Sequence, residues 1–295
     1  MNEYKVDKLS VRRAFDRAAQ TYDQHAMLQA LVREEMLRRL AGIKLASAQV
    51  LVDMGCGTGA AMKVLRQRYP RALVLGLDFS LGMLHQARRW RPWVRKPGWV
   101  CGDMERLPLR DASVDVLFSS LSVQWGDELA QIFAEARRVL KPGGVFMFST
   151  LGPDTLKELR EAWRVADFGE HAHVNMFYDM HDVGDALLRA GMRDPVMDVE
   201  RITLRFADVE DLMRSLKSIG ARNSMQGRAR GLTTRARLQG VRDAYEHRRG
   251  ADGALPVTYE VVHGLAWGAE ARRYHANAAG EVKVPLHALR GWGGK

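Results

Sequence analysis

Three glycines, Gly55, Gly57 and Gly59, fall within Asp53-Met54-Gly55-Cys56-Gly57-Thr58-Gly59, between an apolar run expected as a strand and a segment, Ala60–Tyr69, expected as a helix that stops at Pro70. Backbone without Cβ atoms can come close to a ligand there, and the helix start offers free amides and the positive end of a dipole. Such a turn suits a nucleotide-type cofactor. Alone it leaves two kinds open, because Gly55, Gly57 and Ala60 also satisfy the Gly-x-Gly-x-x-Gly/Ala dinucleotide pattern, and Asp78 lies where a ribose-binding acid belongs.

Neighbouring residues separate the two. Asp53 closes the expected strand Gln49–Asp53, and a buried anion there suits the ammonium of a methionine moiety and repels a pyrophosphate. Cys101-Gly102-Asp103-Met104 closes a third strand, with an acid to accept from an adenine amino group and a thioether to lie on the ring. Val114–Ser119 reads as a fourth strand, and Pro142-Gly143-Gly144 as the turn into a fifth, Val145–Thr150. These features in this order resemble the class I S-adenosylmethionine-dependent methyltransferases. The resemblance implies S-adenosylmethionine as cofactor, with contacts expected from Asp53, Gly55, Cys56, Gly57, Gly59, Asp78, Phe79, Asp103, Met104 and Ser119.

The elements that must position these residues alternate. Strand and helix follow one another five times between Gln49 and Thr150, which predicts an α/β fold with a doubly wound, mostly parallel sheet, Rossmann-like in kind. The first forty residues read as helix, with Leu28, Leu31, Val32, Met36 and Leu40 on one stripe. Later helices are expected over Asp154–Asp167, His181–Ala190, Asp208–Ile219 and Thr234–Glu246, and later strands over Pro195–Phe206 and Val257–Trp267. The expected organisation is an N-terminal helical lid (1–45), a cofactor domain (46–268) carrying a helical insertion (207–250), and a tail (269–295).

Sequence outside the cofactor motifs narrows the resemblance. Ala14-Phe15-Asp16-Arg17-Ala18-Ala19-Gln20-Thr21-Tyr22-Asp23-Gln24-His25-Ala26, Leu121-Ser122-Val123-Gln124-Trp125, Ser215-Leu216-Lys217-Ser218-Ile219-Gly220-Ala221 and Leu255-Pro256-Val257-Thr258-Tyr259-Glu260 are similar to the malonyl-acyl-carrier-protein O-methyltransferases of biotin synthesis. So are Gly227-Arg228 and Leu232-Thr233-Thr234-Arg235. The resemblance spans residues 5–268 and implies methylation of the free malonyl carboxylate to its ester. A carboxylate is ionised at neutral pH and needs no general base, so alignment, exclusion of water and a hydroxyl or cation near the acid are the protein's task. Tyr22, Gln124 and Trp125 are the candidates at the reacting end, Trp125 as a wall, while Arg17 and His25 could meet the cofactor's carboxylate or cap helices.

Composition bounds the partners. Of 295 residues, 46% are hydrophobic and 27% charged, as in soluble globular proteins, and no apolar run approaches the roughly 18 residues of a membrane span. The start is polar, without a secretory or mitochondrial leader, and the two cysteines form neither a disulfide framework nor a metal cluster, so a cytoplasmic location and no metal are expected. The net charge of +10 favours an acidic partner. Acyl carrier proteins are acidic, and Arg222, Arg228, Arg230 and Arg235 are the expected contacts; a solvated arginine-rich face is the alternative. Three rivals stand: a complex I assembly-factor relative sharing Asp154-Thr155-Leu156-Lys157-Glu158-Leu159-Arg160 and associated with arginine hydroxylation, a binding-only relative, and an RNA methyltransferase, for which no binding motif or aromatic-interleaved basic patch is present.

Overall fold

The structure is a computed structural model and describes residues 6–43, 45, 48–93, 96–221, 223–225 and 233–269. The chain opens with three helices, α1 (Lys8–Ala18), α2 (Tyr22–His25) and α3 (Met27–Ala41). The single helix expected from the stripe is thus broken twice, at Ala19–Thr21 and at Ala26. On α3, Leu28, Val32, Met36 and Leu40 are buried, whereas Leu31 stands in solvent.

Five strands and their crossover helices follow. They are β1 (Val50–Met54), α4 (Ala60–Arg68), β2 (Leu73–Asp78), α5 (Leu81–Ala87), β3 (Gly98–Cys101), β4 (Val114–Ser119), a short 3-10 turn (Val123–Trp125), α6 (Leu129–Val139) and β5 (Leu140–Leu151). β1 and β4 are nearly continuous apolar runs because both of their faces are covered, as parallel strands require. Alternate residues divide between two cores: Leu51, Val116 and Phe118 pack with α3 and α4, and Val52, Met54 and Leu117 pack with α6. Gly143 does not delay β5. Helix α6 runs straight into the strand, and the residues expected as a turn form an irregularity in its pairing with β4 between Val114 and Val116.

Helices α7 (Lys157–Ala166) and α8 (Met180–Arg189) lead to β6 (Arg193–Phe206); α9 (Val209–Ser218) and α10 (Arg235–Glu246) separate it from β7 (Leu255–Trp267). The sheet has seven strands in the order β3-β2-β1-β4-β5-β7-β6, with β7 antiparallel to both neighbours and the first five parallel. Gly264 makes the β7 insertion possible: a Cβ there would lie 2.2 Å from the Phe148 ring, which stacks on Phe146 at 4.7 Å. The chain changes direction across the sheet between β1 and β4. The loops after their carboxyl ends therefore border the crevice where open α/β sheets bind ligands.

Candidate functional site

The floor of the site is the turn after β1. The ladder carries β1 to Met54, one residue beyond Asp53, and the chain then passes through Gly55, Gly57 and Gly59 at φ of 77°, 53° and 79°. Each glycine answers a different constraint. A Cβ on Gly55 would lie 2.3 Å from Ser122 Cβ, so the turn presses against the loop after β4. Gly57 has nothing within 4 Å and leaves its face open to the cavity. Gly59 precedes α4 in the left-handed region and backs onto Trp99, 2.8 Å from a would-be Cβ; it is absent from the cavity wall. Asp78, at the end of β2, accepts from the Gly57 and Ser80 amides, both at 2.8 Å, which fixes its carboxylate beside the turn.

The N-terminal helices roof this floor and are tied down at three places. Lys8 Nζ reaches Asp103 at 2.7 Å and Glu105 at 2.6 Å. Burial works against the Lys8 charge, but these two bonds outweigh it and hold the ammonium above the ordinary lysine range. Asp16 accepts from Ser80 Oγ at 2.6 Å and from the Gly82 amide at 2.9 Å, next to the Ser80 cap of α5. Asp23 accepts from Thr58 Oγ1 at 2.7 Å. Between these ties Phe15 meets Trp125 edge-on at 5.2 Å, Phe79 at 6.3 Å and Tyr22 at 6.4 Å, an aromatic seam shared by lid and body.

Three neighbouring hollows lie under the seam. The first is bounded by Asp78, Phe79, Asp103, Met104 and Trp125; the second by Asp53, Cys56, Gly57 and Arg33; the third, largely apolar, by Leu121, Gln124, Trp125, His173 and Tyr259. Tyr22 borders all three. Burial and the nearby Asp78 push its hydroxyl well above the ordinary tyrosine range, so it stays protonated as a donor. Burial and the Asp78 charge also lift Asp53 to about 7, against the pull of Arg33, and burial lifts Asp78 to about 6. Burial raises the Cys56 thiol too, so it is no nucleophile.

The sequence-derived candidates distribute unevenly over this geometry. Asp53, Gly55, Cys56, Gly57, Asp78, Phe79, Asp103, Met104, Tyr22, Gln124 and Trp125 line the hollows. Ser119 does not: it is fully buried beneath the floor, 2.5 Å from Ser122 Oγ, which in turn donates to the Met54 carbonyl. The next residue, Ser120, faces the cavity instead, as strand alternation dictates. Arg17 is exposed and His25 bonds back to the Thr21 carbonyl; neither lines a hollow, whereas Arg33 lines the one bounded by Asp53. Arg235 is exposed on the first turn of α10, while Arg222, Arg228 and Arg230 lie outside the described residues. Arg33, Gln29, Phe15 and His173 went unsignalled in the sequence, being brought in by helices and a loop distant from the glycine turn.

Polar atoms left over at the site match a ligand carrying both an ammonium and hydroxyls. Ser120 Oγ and Gln29 Oε1 are buried without a partner among the described residues, and no hydrogen bond to the Asp53 carboxylate is present among them. Residues 52–148 match a family profile described as a methyltransferase domain. The malonyl-[acyl-carrier protein] O-methyltransferase of Methylovorus sp. (strain MP688) is 52% identical over 275 residues, covering 91% of this chain and 92% of that one. The chain belongs to this family. The malonyl-[acyl-carrier protein] O-methyltransferase of Laribacter hongkongensis (strain HLHK9) is 50% identical over 277 residues, again covering 91% and 92% of the two chains. In fold the chain is similar to the YcgJ protein of Bacillus subtilis, with a TM-score of 0.57 at 14% identity over 81% of this chain and all of that one. Membership in this methyltransferase family makes S-adenosylmethionine the cofactor, and the leftover acceptors and the open Gly57 face fit it. Among the described residues no helix is long and apolar enough to cross a membrane, and no cluster of metal-ligating side chains occurs.

Proposed function

We propose that this protein methylates the free carboxylate of malonyl carried on acyl carrier protein, an early step of biotin synthesis in the cytoplasm. The activity is that of its relatives, and the observation that carries it to this chain is Tyr22, which stands on the walls of both polar hollows and of the apolar chamber. S-adenosylmethionine supplies a sulfonium methyl group, which the carboxylate oxygen takes while the bonding pair of the broken C–S bond stays on sulfur.

The residues divide the work of holding and aligning. Asp53 would hold the cofactor's ammonium and Arg33 its carboxylate; Asp78 would accept from the ribose hydroxyls, Asp103 from the adenine amino group, and Met104 would offer its thioether to the ring. Tyr22 donates its hydroxyl to the malonyl end, Gln124 and Trp125 bound its path, and the lid excludes water. No general base is needed, and among the described residues the chamber wall carries no carboxylate. The insertion 207–250, with Arg222, Arg228, Arg230 and Arg235, meets the acidic carrier.

Incubation with labelled S-adenosylmethionine and malonyl carrier protein, followed by mass measurement, tests the reading. A gain of one methyl group, removed by mild base, is expected. Tight cofactor binding without transfer would sink it and favour an assembly-factor role. Charge reversal at Arg228 and Arg230 is expected to weaken activity on carrier substrate, and equal loss on a small malonyl thioester would count against docking there.

A further inference from the structure

The chamber that must receive a carboxylate holds no lysine or arginine among the described residues. Among the described residues, His173 is the one imidazole on its wall. His173 is built in from three sides. Its Nε2 lies 2.6 Å from Asp167 Oδ2, its ring stacks on Trp163 at 3.9 Å and 12°, and Asp167 is buried at the end of α7 with its other oxygen on the Gly169 amide. Nδ1 makes no hydrogen bond among the described residues, so one ring nitrogen is committed to Asp167 and the other is left for a ligand. Burial alone would raise Asp167, but the imidazole and the Gly169 amide outweigh it and hold the acid below its ordinary range, ionised behind the ring.

The loop carrying His173 is latched to the lid. Asn223 donates to the Ala172 carbonyl at 2.6 Å, the Ser224 amide donates to Asn175 at 3.0 Å, and the Asp7 amide donates to the Ser224 carbonyl at 2.8 Å. His173 is therefore in place when the lid is.

Resting on the carboxyl-methylation reading, we propose that His173, positioned by Asp167, recognises the charged end of the acyl substrate together with the Tyr22 hydroxyl. A guanidinium there would form a strong bidentate pair and blunt the oxygen that has to attack. An imidazole ring held between the Asp167 carboxylate and the substrate carboxylate would, on taking up a proton there, select an anion while leaving it reactive. The same contact distinguishes substrate from product, because the methyl ester carries no charge and is released.

The test is a titration with S-adenosylhomocysteine present, comparing malonyl carrier protein with its methyl ester as ligands. The wild-type protein is expected to favour the malonyl form by about tenfold or more, the order of one desolvated charge contact. H173Q is expected to bring that ratio to about one, with S-adenosylhomocysteine affinity unchanged, and D167N to lower it by about threefold through the lost orienting bond. Should H173Q fail to fold, D167N carries the test by the same ratio. A ratio that survives in the folded variants overturns the role of His173 and leaves the methylation reading standing. A wild-type protein without preference, and without methyl transfer, overturns both.

Discussion

At the scale of single residues, Asp53 is an acid that the fold makes costly until the cofactor arrives. Burial and the neighbouring Asp78 raise it to about 7, so the folded apoprotein holds a proton that the unfolded chain releases near the ordinary carboxyl range. An acid raised on folding favours the folded state at low pH, and that advantage is lost as pH climbs from about 4 to about 7. Asp78, raised to about 6, adds in the same direction. Cofactor binding should therefore expel a proton below pH 7, its affinity falling by up to about tenfold per pH unit, as calorimetry in buffers of different ionisation enthalpy would show. D53N is expected to flatten this dependence, weaken binding by about 30-fold or more, and raise the melting temperature of the apoprotein at pH 8. Gly55 offers a steric counterpart. G55A should lose about 2 kcal/mol or more from positive φ and overlap with Ser122, and S122G should restore only the overlap part in a denaturation cycle. Asp53 and the glycines stood out because they share one short local motif, and Asp78 because it ends the next apolar run. Ser119 was misjudged because one residue of strand alternation decides whether a serine of Ser119-Ser120 faces the cavity or the core, and composition does not carry that phase.

At the scale of elements, α3 is fixed by its apolar face, while α1 and α2 add polar ties to the aromatic seam. Lys8, Asp16 and Asp23 each reach a different loop of the body, and Gly82 lets α1 come close, since a Cβ there would sit 2.8 Å from Asp16. D16A removes an acceptor from the start of α5 and one tie. About 1 kcal/mol of lost stability is expected, with earlier proteolytic cleavage within residues 8–41 and a severalfold higher KM for S-adenosylmethionine. Unchanged proteolysis and KM would show that the tie is incidental. The sequence conveyed that the first forty residues are helical, because apolar spacing reports helix. It did not convey the breaks before α2 and before α3, where the lid bends over the cavity and neither proline nor glycine marks the turn. His173 was illegible for a related reason: the loop from 171 to 175 has no period, and its position comes from Asn223 and Trp163, both distant or unsignalled in sequence.

At the scale of the whole molecule, the sheet order was readable as class rather than in detail. Alternating strands and helices imply parallel β1 to β5, but the placing of β7 between β5 and β6 depends on Gly264 yielding to Phe148, a contact between distant strands. The net charge of +10 acts over the same range. Because steering between opposite charges is screened by salt, kcat/KM on malonyl carrier protein should fall steeply between low and physiological ionic strength. The value on a small malonyl thioester should move far less; parallel declines would place the salt effect inside the site. Tyr22 borders the hollows assigned above to donor and acceptor, so lifting α1 and α2 would loosen both spent molecules at once. Release by that motion is the step expected to pace turnover. A rapid first round of ester formation followed by a slower steady phase is expected in quenched-flow traces, with a steady rate that drops as solvent viscosity rises.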